Sequence, residues 1–202
     1  NFYNIATKND LGYQQFCQEN SFWLDNYAVF KLIKNLHNNG PWRDWNPTFR
    51  KFNKKLVNSI DIKYSVEVHK LKILQYFFYT QWMKIKNYAK KKDIKFIGDI
   101  PIYISYNSAD VWSNLKLFKL NKRGNMKFQS GCPPDHFSSR GQLWGHPIYD
   151  WEEHLQSDFQ WWKSRLKYAL RFVDVVRIDH FNGLAKYWEV PIKNRTAKKG
   201  KW

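Results

Sequence analysis

Two short apolar runs, Ile94-Lys95-Phe96-Ile97-Gly98-Asp99 and Asp174-Val175-Val176-Arg177-Ile178-Asp179, each close on an aspartate, and they constrain the fold more than any other feature. Each reads as a short buried strand. Between them lie an excursion from about residue 107 to 149, dense in turn residues, and a helical pattern from about Asp158 to Phe172. Strand, excursion, helix, strand is the order of a parallel βαβ unit, so the fold class is expected to be α/β. A loop of that length in a compact domain is ordinarily functional or loosely structured.

The stretch before the first strand is expected to be helical. From Phe22 to Ile33 apolar residues recur at three- and four-residue steps, within a helical segment running from Asp10 to about His37, and Ser21 is read as an N-cap. Asn39-Gly40-Pro41 stops that pattern, and Trp42 and Trp45 follow in a loop. A second long helical pattern runs from about Ser59 to Lys92, ending in basic residues that suit the helix dipole. The expected division is a mainly helical segment, 1–92, and a second part, 93–202.

Composition narrows the function classes. Hydrophobic residues make up 43% and aromatics 19%, which excludes a disordered chain. No run of about 18 apolar residues occurs, so no membrane-spanning helix is expected. Lys and Arg number 34 against 17 Asp and Glu, for a net charge of +17. Of those cations 26 are Lys and 8 are Arg, and most Lys residues are scattered. Base-reading proteins rely on the planar Arg fork, so solvated faces are favoured over a nucleic-acid groove. Cys17 and Cys132 stand far apart and form no CxxC or Cys/His cluster, which fits two free thiols in a reducing compartment, with a single disulfide as the alternative. The chain starts Asn1-Phe2-Tyr3, without an initiator Met or a signal pattern, and reads as a piece of a longer protein.

The chemistry is expected at the strand ends. On the second strand Val175, Arg177 and Asp179 share one face, while Val176 and Ile178 share the other. If the second face packs under helices, the first looks into a barrel interior. Asp179 then lies at the carboxyl end, where parallel α/β enzymes keep their active groups. Arg177 either closes the strand end as an ion pair or holds Asp179 ionised, as a carboxylate nucleophile requires. His180 follows as a hydrogen-bond donor, and Asp99 ends the first strand in the same way as Asp179. The excursion supplies Asp135, Gln142 and Trp144. An aromatic plane beside amide and carboxylate groups suits a sugar ring, although any single Trp is as readily core packing. The sequence carries no P-loop, GxGxxG, HExxH or GxSxG pattern.

Six blocks occur in order: Gly98-Asp99-Ile100-Pro101-Ile102-Tyr103, Ser108-Ala109-Asp110-Val111-Trp112, Gly131-Cys132-Pro133-Pro134-Asp135, Gly141-Gln142-Leu143-Trp144-Gly145, Val176-Arg177-Ile178-Asp179-His180-Phe181 and Tyr187-Trp188-Glu189-Val190-Pro191. Together they closely resemble the 4-α-glucanotransferases (amylomaltase, or disproportionating enzyme) of the α-amylase clan of TIM barrels, most clearly over residues 94–202. The resemblance implies a partial (β/α)8 barrel with a helical N-terminal portion. It implies retaining transfer of α-1,4-glucan segments between malto-oligosaccharides, without metal or organic cofactor, in the cytoplasm or, in a plant, the plastid stroma. Asp179 matches the nucleophile, Arg177 the arginine supporting it, and His180 a substrate-contacting histidine. Asp99, Asp135, Gln142 and Trp144 match substrate-binding positions, and Gly131 to Ser138 resembles a lid over the acceptor site. The acid/base Glu and a third Asp of the family lie beyond Trp202, so this chain is expected to be inactive alone. Glu189 falls in a block without that role. His136 replaces a usual Tyr and His146 a usual Asn or Ser, while Cys132 replaces an aliphatic residue and is expected to pack. A hydrolase of the same clan and, in another class, a basic nucleic-acid-binding protein are the alternatives.

Overall fold

Helix formation is under way at Asp10, whose carboxylate accepts the backbone N–H of Tyr13 at 3.1 Å and caps α1 (Leu11–Leu36). The structure, a computed structural model, describes residues 10–202, in two compact units that divide between Tyr88 and Ala89. Ser21 does not cap α1. It lies inside the helix, and its hydroxyl donates back to the Gln18 carbonyl at 3.0 Å. Asp10 offers the same kind of acceptor earlier, so the helix starts there. Asn38 and Asn39 end it, at φ of 52° and 59°; Asn tolerates this left-handed region better than most residues.

Trp42 and Trp45, expected in a loop, are core residues. A 3-10 turn (Trp42–Asp44) buries both rings, and Trp45 packs on Phe30 at 5.1 Å and His37 at 5.6 Å. A short α2 (Pro47–Arg50) follows. The helical pattern read from Ser59 to Lys92 is two helices, α3 (Lys54–Lys63), capped by Asn53, and α4 (Ser65–Lys90). Tyr64 breaks them at φ −121°, ψ 41°. Its N–H still donates to Ile60, and its carbonyl still accepts from Val68. The ladder therefore nearly continues through the break, and the apolar spacing gives no sign of it. Lys72 on α4 binds Asp25 of α1 at 2.8 Å and Asp61 of α3 at 3.4 Å, joining three helices. No helix among the described residues is long and apolar enough to cross a membrane.

The second unit is mixed. Strand β1 (Ile97–Ile100) pairs in parallel with a later strand, Val175–Ile178, with Ile97 opposite Val175 and Asp99 opposite Arg177. In chain order the intervening elements are α5 (Ala109–Ser113), β2 (Phe128–Cys132), β3 (Gln142–Leu143), α6 (Trp151–Gln156) and α7 (Gln160–Phe172), which makes the later strand β4. Helix α7 packs on β1 and β4. Gly98 permits the approach, because a Cβ there would sit 2.7 Å from Val173 Cγ1 at the end of α7. Strand β5 (Trp188–Pro191) returns to the excursion and completes an antiparallel sheet of order β3-β2-β5.

The two apolar runs are not fully buried strands. Ile97 is 73% exposed and Val175 49%. Ile100 alone of β1 is buried, and Val176 and Ile178 are half-covered. Hydrophobic content cannot tell a strand buried on both faces from one backed by a helix on a single face. The core lies instead around Tyr149, which is fully buried among Phe118, Trp151, His154, Trp161 and Trp162.

His154 makes this core sensitive to acid. Burial pushes its imidazole below the ordinary value near 6.5, and the Leu117 backbone and Asp150 oppose only in part. The folded ring holds its proton less tightly than the unfolded ring. Its contribution to stability is therefore complete above about pH 6.5 and is lost as pH falls from there toward the folded-state value. Thermal unfolding at pH 7.5 and 5.5 is expected to show a smaller loss for His154→Phe than for the unmodified chain. The difference is bounded by about 1.4 kcal/mol per pH unit. Equal losses would remove His154 from the account.

Candidate active site

Parallel pairing delivers both aspartates to the same end of the β1–β4 sheet. Because Asp99 lies opposite Arg177, the guanidinium reaches both carboxylates. Nη1 donates to Asp99 Oδ2 at 2.8 Å and Nη2 to Asp179 Oδ1 at 2.7 Å. The face carrying Val175, Arg177 and Asp179 is exposed, while Val176 and Ile178 turn toward the covered side, as the alternation predicts. The spacing pointed to one partner for Arg177. The structure gives it two.

Immediately after Asp179 the backbone leaves the strand. His180 adopts φ of 51°, a left-handed conformation that costs a non-glycine residue about 1–2 kcal/mol. The chain then enters a 3-10 turn, Phe181–Leu184. This turn sets the His180 ring edge-on to Trp144, with centroids 4.9 Å apart, and 6.4 Å from Tyr103. Tyr103 in turn lies 5.9 Å from Trp144. Burial lowers the His180 pKa against a smaller opposing pull from Asp179, and raises that of the Tyr103 hydroxyl. Two buried polar atoms, Tyr103 Oη and His180 Nε2, find no protein partner. Buried polar groups are ordinarily satisfied, so two adjacent exceptions suit the hydroxyls of a ligand or water.

Trp144 is held from two sides. Its backbone N–H donates to Ser130 on β2, and its indole N–H donates to Gln142 Oε1 at 3.1 Å. Asp99, Arg177 and Asp179 thus form one cluster, and His180, Trp144 and Gln142 form a wall that reaches it through the Asp179–His180 link. Asp135 is engaged elsewhere. Its Oδ1 accepts the N–H groups of Phe137 and Ser138 at 2.9 and 2.7 Å and shapes its own loop. At the tip of that loop Phe137 is 91% exposed beside His136. Glu189 is buried between Lys119 at 3.3 Å and Lys201 at 3.0 Å, an arrangement that ties β5 to the excursion. Cys132 is half-buried with its thiol pushed up by burial, which fits packing. Among the described residues no cluster of three or more His, Cys, Asp or Glu could hold a metal ion.

Sequence reasoning missed Tyr103. It closes the Gly98–Tyr103 block, but a tyrosine after a strand carries no pattern of its own. Its place beside Trp144 and His180 appears only in the ring contacts of the folded chain.

Acidic groups at the carboxyl ends of adjacent parallel strands, beside aromatic rings, are the layout in which α/β enzymes keep their active groups. The blocks that contain Asp99, Gln142, Trp144, Arg177 and Asp179 supply this layout. A model of the 4-alpha-glucanotransferase family matches residues 1–202, and the chain belongs to that family. The 4-alpha-glucanotransferase of Clostridium butyricum is 43% identical over 202 residues, covering 100% of this chain and 42% of that protein. The chloroplastic/amyloplastic 4-alpha-glucanotransferase of Solanum tuberosum is 42% identical over 185 residues, covering 90% and 32%. A solved amylomaltase from Streptococcus agalactiae, in complex with acarbose, superposes with a TM-score of 0.87 at 38% identity, over 94% of this chain and 38% of that one. The chain thus spans well under half the length of these relatives.

Both Arg177 ion pairs are more than half exposed, with side-chain exposures of 60% for Arg177, 52% for Asp99 and 66% for Asp179. Such pairs contribute little to stability. Arg177→Met is expected to change the unfolding free energy by no more than about 1 kcal/mol in a urea titration. A loss of several times that size would make the pair a clasp closing the strand end.

Proposed function

We propose that this chain carries the nucleophile side of a retaining 4-α-glucanotransferase site. The observation that carries the reading is the single guanidinium shared between Asp99 and Asp179 at the end of two parallel strands, beside an aromatic wall with two unsatisfied polar atoms. The β1–β4 pair is read as part of a (β/α)8 barrel in the unit Ala89–Trp202, which a mainly helical segment precedes in the chain.

In this mechanism a carboxylate oxygen of Asp179 attacks the anomeric carbon of an α-1,4-linked glucan. The glycosidic C–O bond breaks, and a glycosyl-enzyme ester forms. The 4-hydroxyl of an acceptor glucan then attacks the same carbon, releases Asp179 and restores the α configuration. Arg177 keeps Asp179 in place between turnovers. His180 and Tyr103 meet sugar hydroxyls, and Trp144 faces the apolar side of a ring, positioned with Gln142. Asp135 shapes the loop over the acceptor. A second carboxylic acid, about 5–5.5 Å from the nucleophile in retaining enzymes, protonates the leaving oxygen and later takes the acceptor's proton. The family resemblance assigns it to a Glu beyond Trp202, and Glu189, held by two lysines, does not serve. No step calls for a metal or organic cofactor, and the substrates are malto-oligosaccharides. The free thiols of Cys17 and Cys132 suit the cytoplasm or, for a plant source, a plastid stroma.

Protein of the relatives' full length, given maltotriose, is expected to yield glucose together with longer maltodextrins. Asp179→Asn is expected to lower that transfer roughly 10³-fold or more with the fold retained. New reducing ends without elongation would identify a hydrolase. Strongly salt-dependent nucleic-acid binding that ignores Asp179 would identify a different class of protein.

A further inference from the structure

We infer that Tyr149 is a positioning residue for this site, acting through Tyr103 on the wall that His180 and Trp144 form. The inference rests on the transfer reading above for its activity readout, though not for its structural one.

Tyr149 is fully buried, and its ring is packed by aromatic neighbours that a phenylalanine would satisfy equally well. A phenol hydroxyl in such a core must find a partner or it destabilises the fold. Here it donates to the Ile102 carbonyl at 2.6 Å. Arg165, whose guanidinium lies over the rings of Trp161 and Trp162, donates Nη2 to the preceding carbonyl, Pro101, at 2.7 Å and approaches the Tyr149 hydroxyl with Nη1 at 3.5 Å. Two consecutive carbonyls just beyond β1 are therefore held from the core. They lie between Asp99, which binds Arg177, and Tyr103, which faces His180.

The same ring acts a second time. Tyr149 stacks on Tyr103 with centroids 6.0 Å apart and planes 16° from parallel. Tyr103 is thus fixed through its backbone by the hydroxyl and through its face by the ring, with its own hydroxyl left free of protein partners. The Tyr149 backbone is itself pinned, because Tyr187, next to β5, donates its hydroxyl to the Tyr149 carbonyl at 3.0 Å. Outer partners that orient metal ligands change affinity or activity about 10- to 100-fold when removed, and an effect of that order is expected of a residue that orients a binding wall.

The test is a double-mutant cycle in protein of the relatives' full length, read by maltotriose disproportionation and by nuclear magnetic resonance of the His180 ring. Tyr149→Phe is expected to lower kcat about tenfold or more, with KM changed less than about threefold. In a Tyr103→Ala background the same substitution is expected to cost less than about twofold, because the element it acts through is gone. Equal losses in both backgrounds would overturn the inference. The His180 titration midpoint is expected to rise toward an ordinary histidine in Tyr149→Phe as the wall loosens, and an unmoved midpoint would overturn it as well. If the unmodified protein transfers no glucan, the proposed reaction fails and the His180 titration alone decides the positioning role. Should Tyr149→Phe not fold, Arg165→Gln, which frees Pro101 but leaves the ring stack, is measured against the same cycle and the same midpoint.

Discussion

Arg177 donates to Asp99 on one side and Asp179 on the other, and strand register is what permits it. The parallel pair sets Asp99 directly opposite Arg177, so the guanidinium bridges a carboxylate on the next strand and one two residues along its own. A slip of one residue would send Arg177 and Asp179 together to the opposite face and leave Asp99 without its partner. The register is held away from the charges. Asp174 accepts from the Phe96 N–H through its side chain at 2.9 Å and donates its own N–H to the Phe96 carbonyl, locking the two strands where they begin. Gly98 lets Val173 close against β1 at the same end.

Because the ion pairs are more than half exposed, stability has to come from elsewhere. It is concentrated in the aromatic cluster around Tyr149, where rings bury large areas and the Tyr149 hydroxyl bonds to the Ile102 carbonyl. Chemistry and stability are thereby separated. The charged groups stand in water on one face of the sheet, and the packed core lies beyond the end of β1. They meet at Pro101 and Ile102, whose carbonyls the core holds while their neighbours Asp99 and Tyr103 enter the site.

The features legible in the sequence are those that local chemistry determines. The parallel strand pair and the placing of Asp99, Arg177 and Asp179 at its end followed from element order and the two-residue alternation. Trp144 and Gln142 were marked by the turn residues around them. Features that depend on tertiary partners were not legible. The excursion reads as loop because β2 is five residues long and β3 only two, and their ladder partner β5 comes from after Asp179. Ser21 and Asp10 carry equivalent capping oxygens, and only helix length separates their roles. Trp42 and Trp45 lack periodicity because they enter the core from a 3-10 turn. Tyr64 breaks a helix without disturbing its apolar spacing.

The antiparallel sheet binds the parts of the site that the chain keeps far apart. Strand β5 follows Asp179 after the 3-10 turn, yet it pairs with β2, laid down much earlier, while β2 carries β3 and hence Gln142 and Trp144 on its other edge. The left-handed turn at His180 starts this return. Glu189 and its two lysines close the far edge of the sheet. The same ladder fixes both feet of the loop holding Asp135 and Phe137, since Cys132 and Gln142 are directly paired. At the tip of that loop Phe137 stands 91% exposed beside His136, while Asp135 at its base caps the turn through the N–H groups of Phe137 and Ser138.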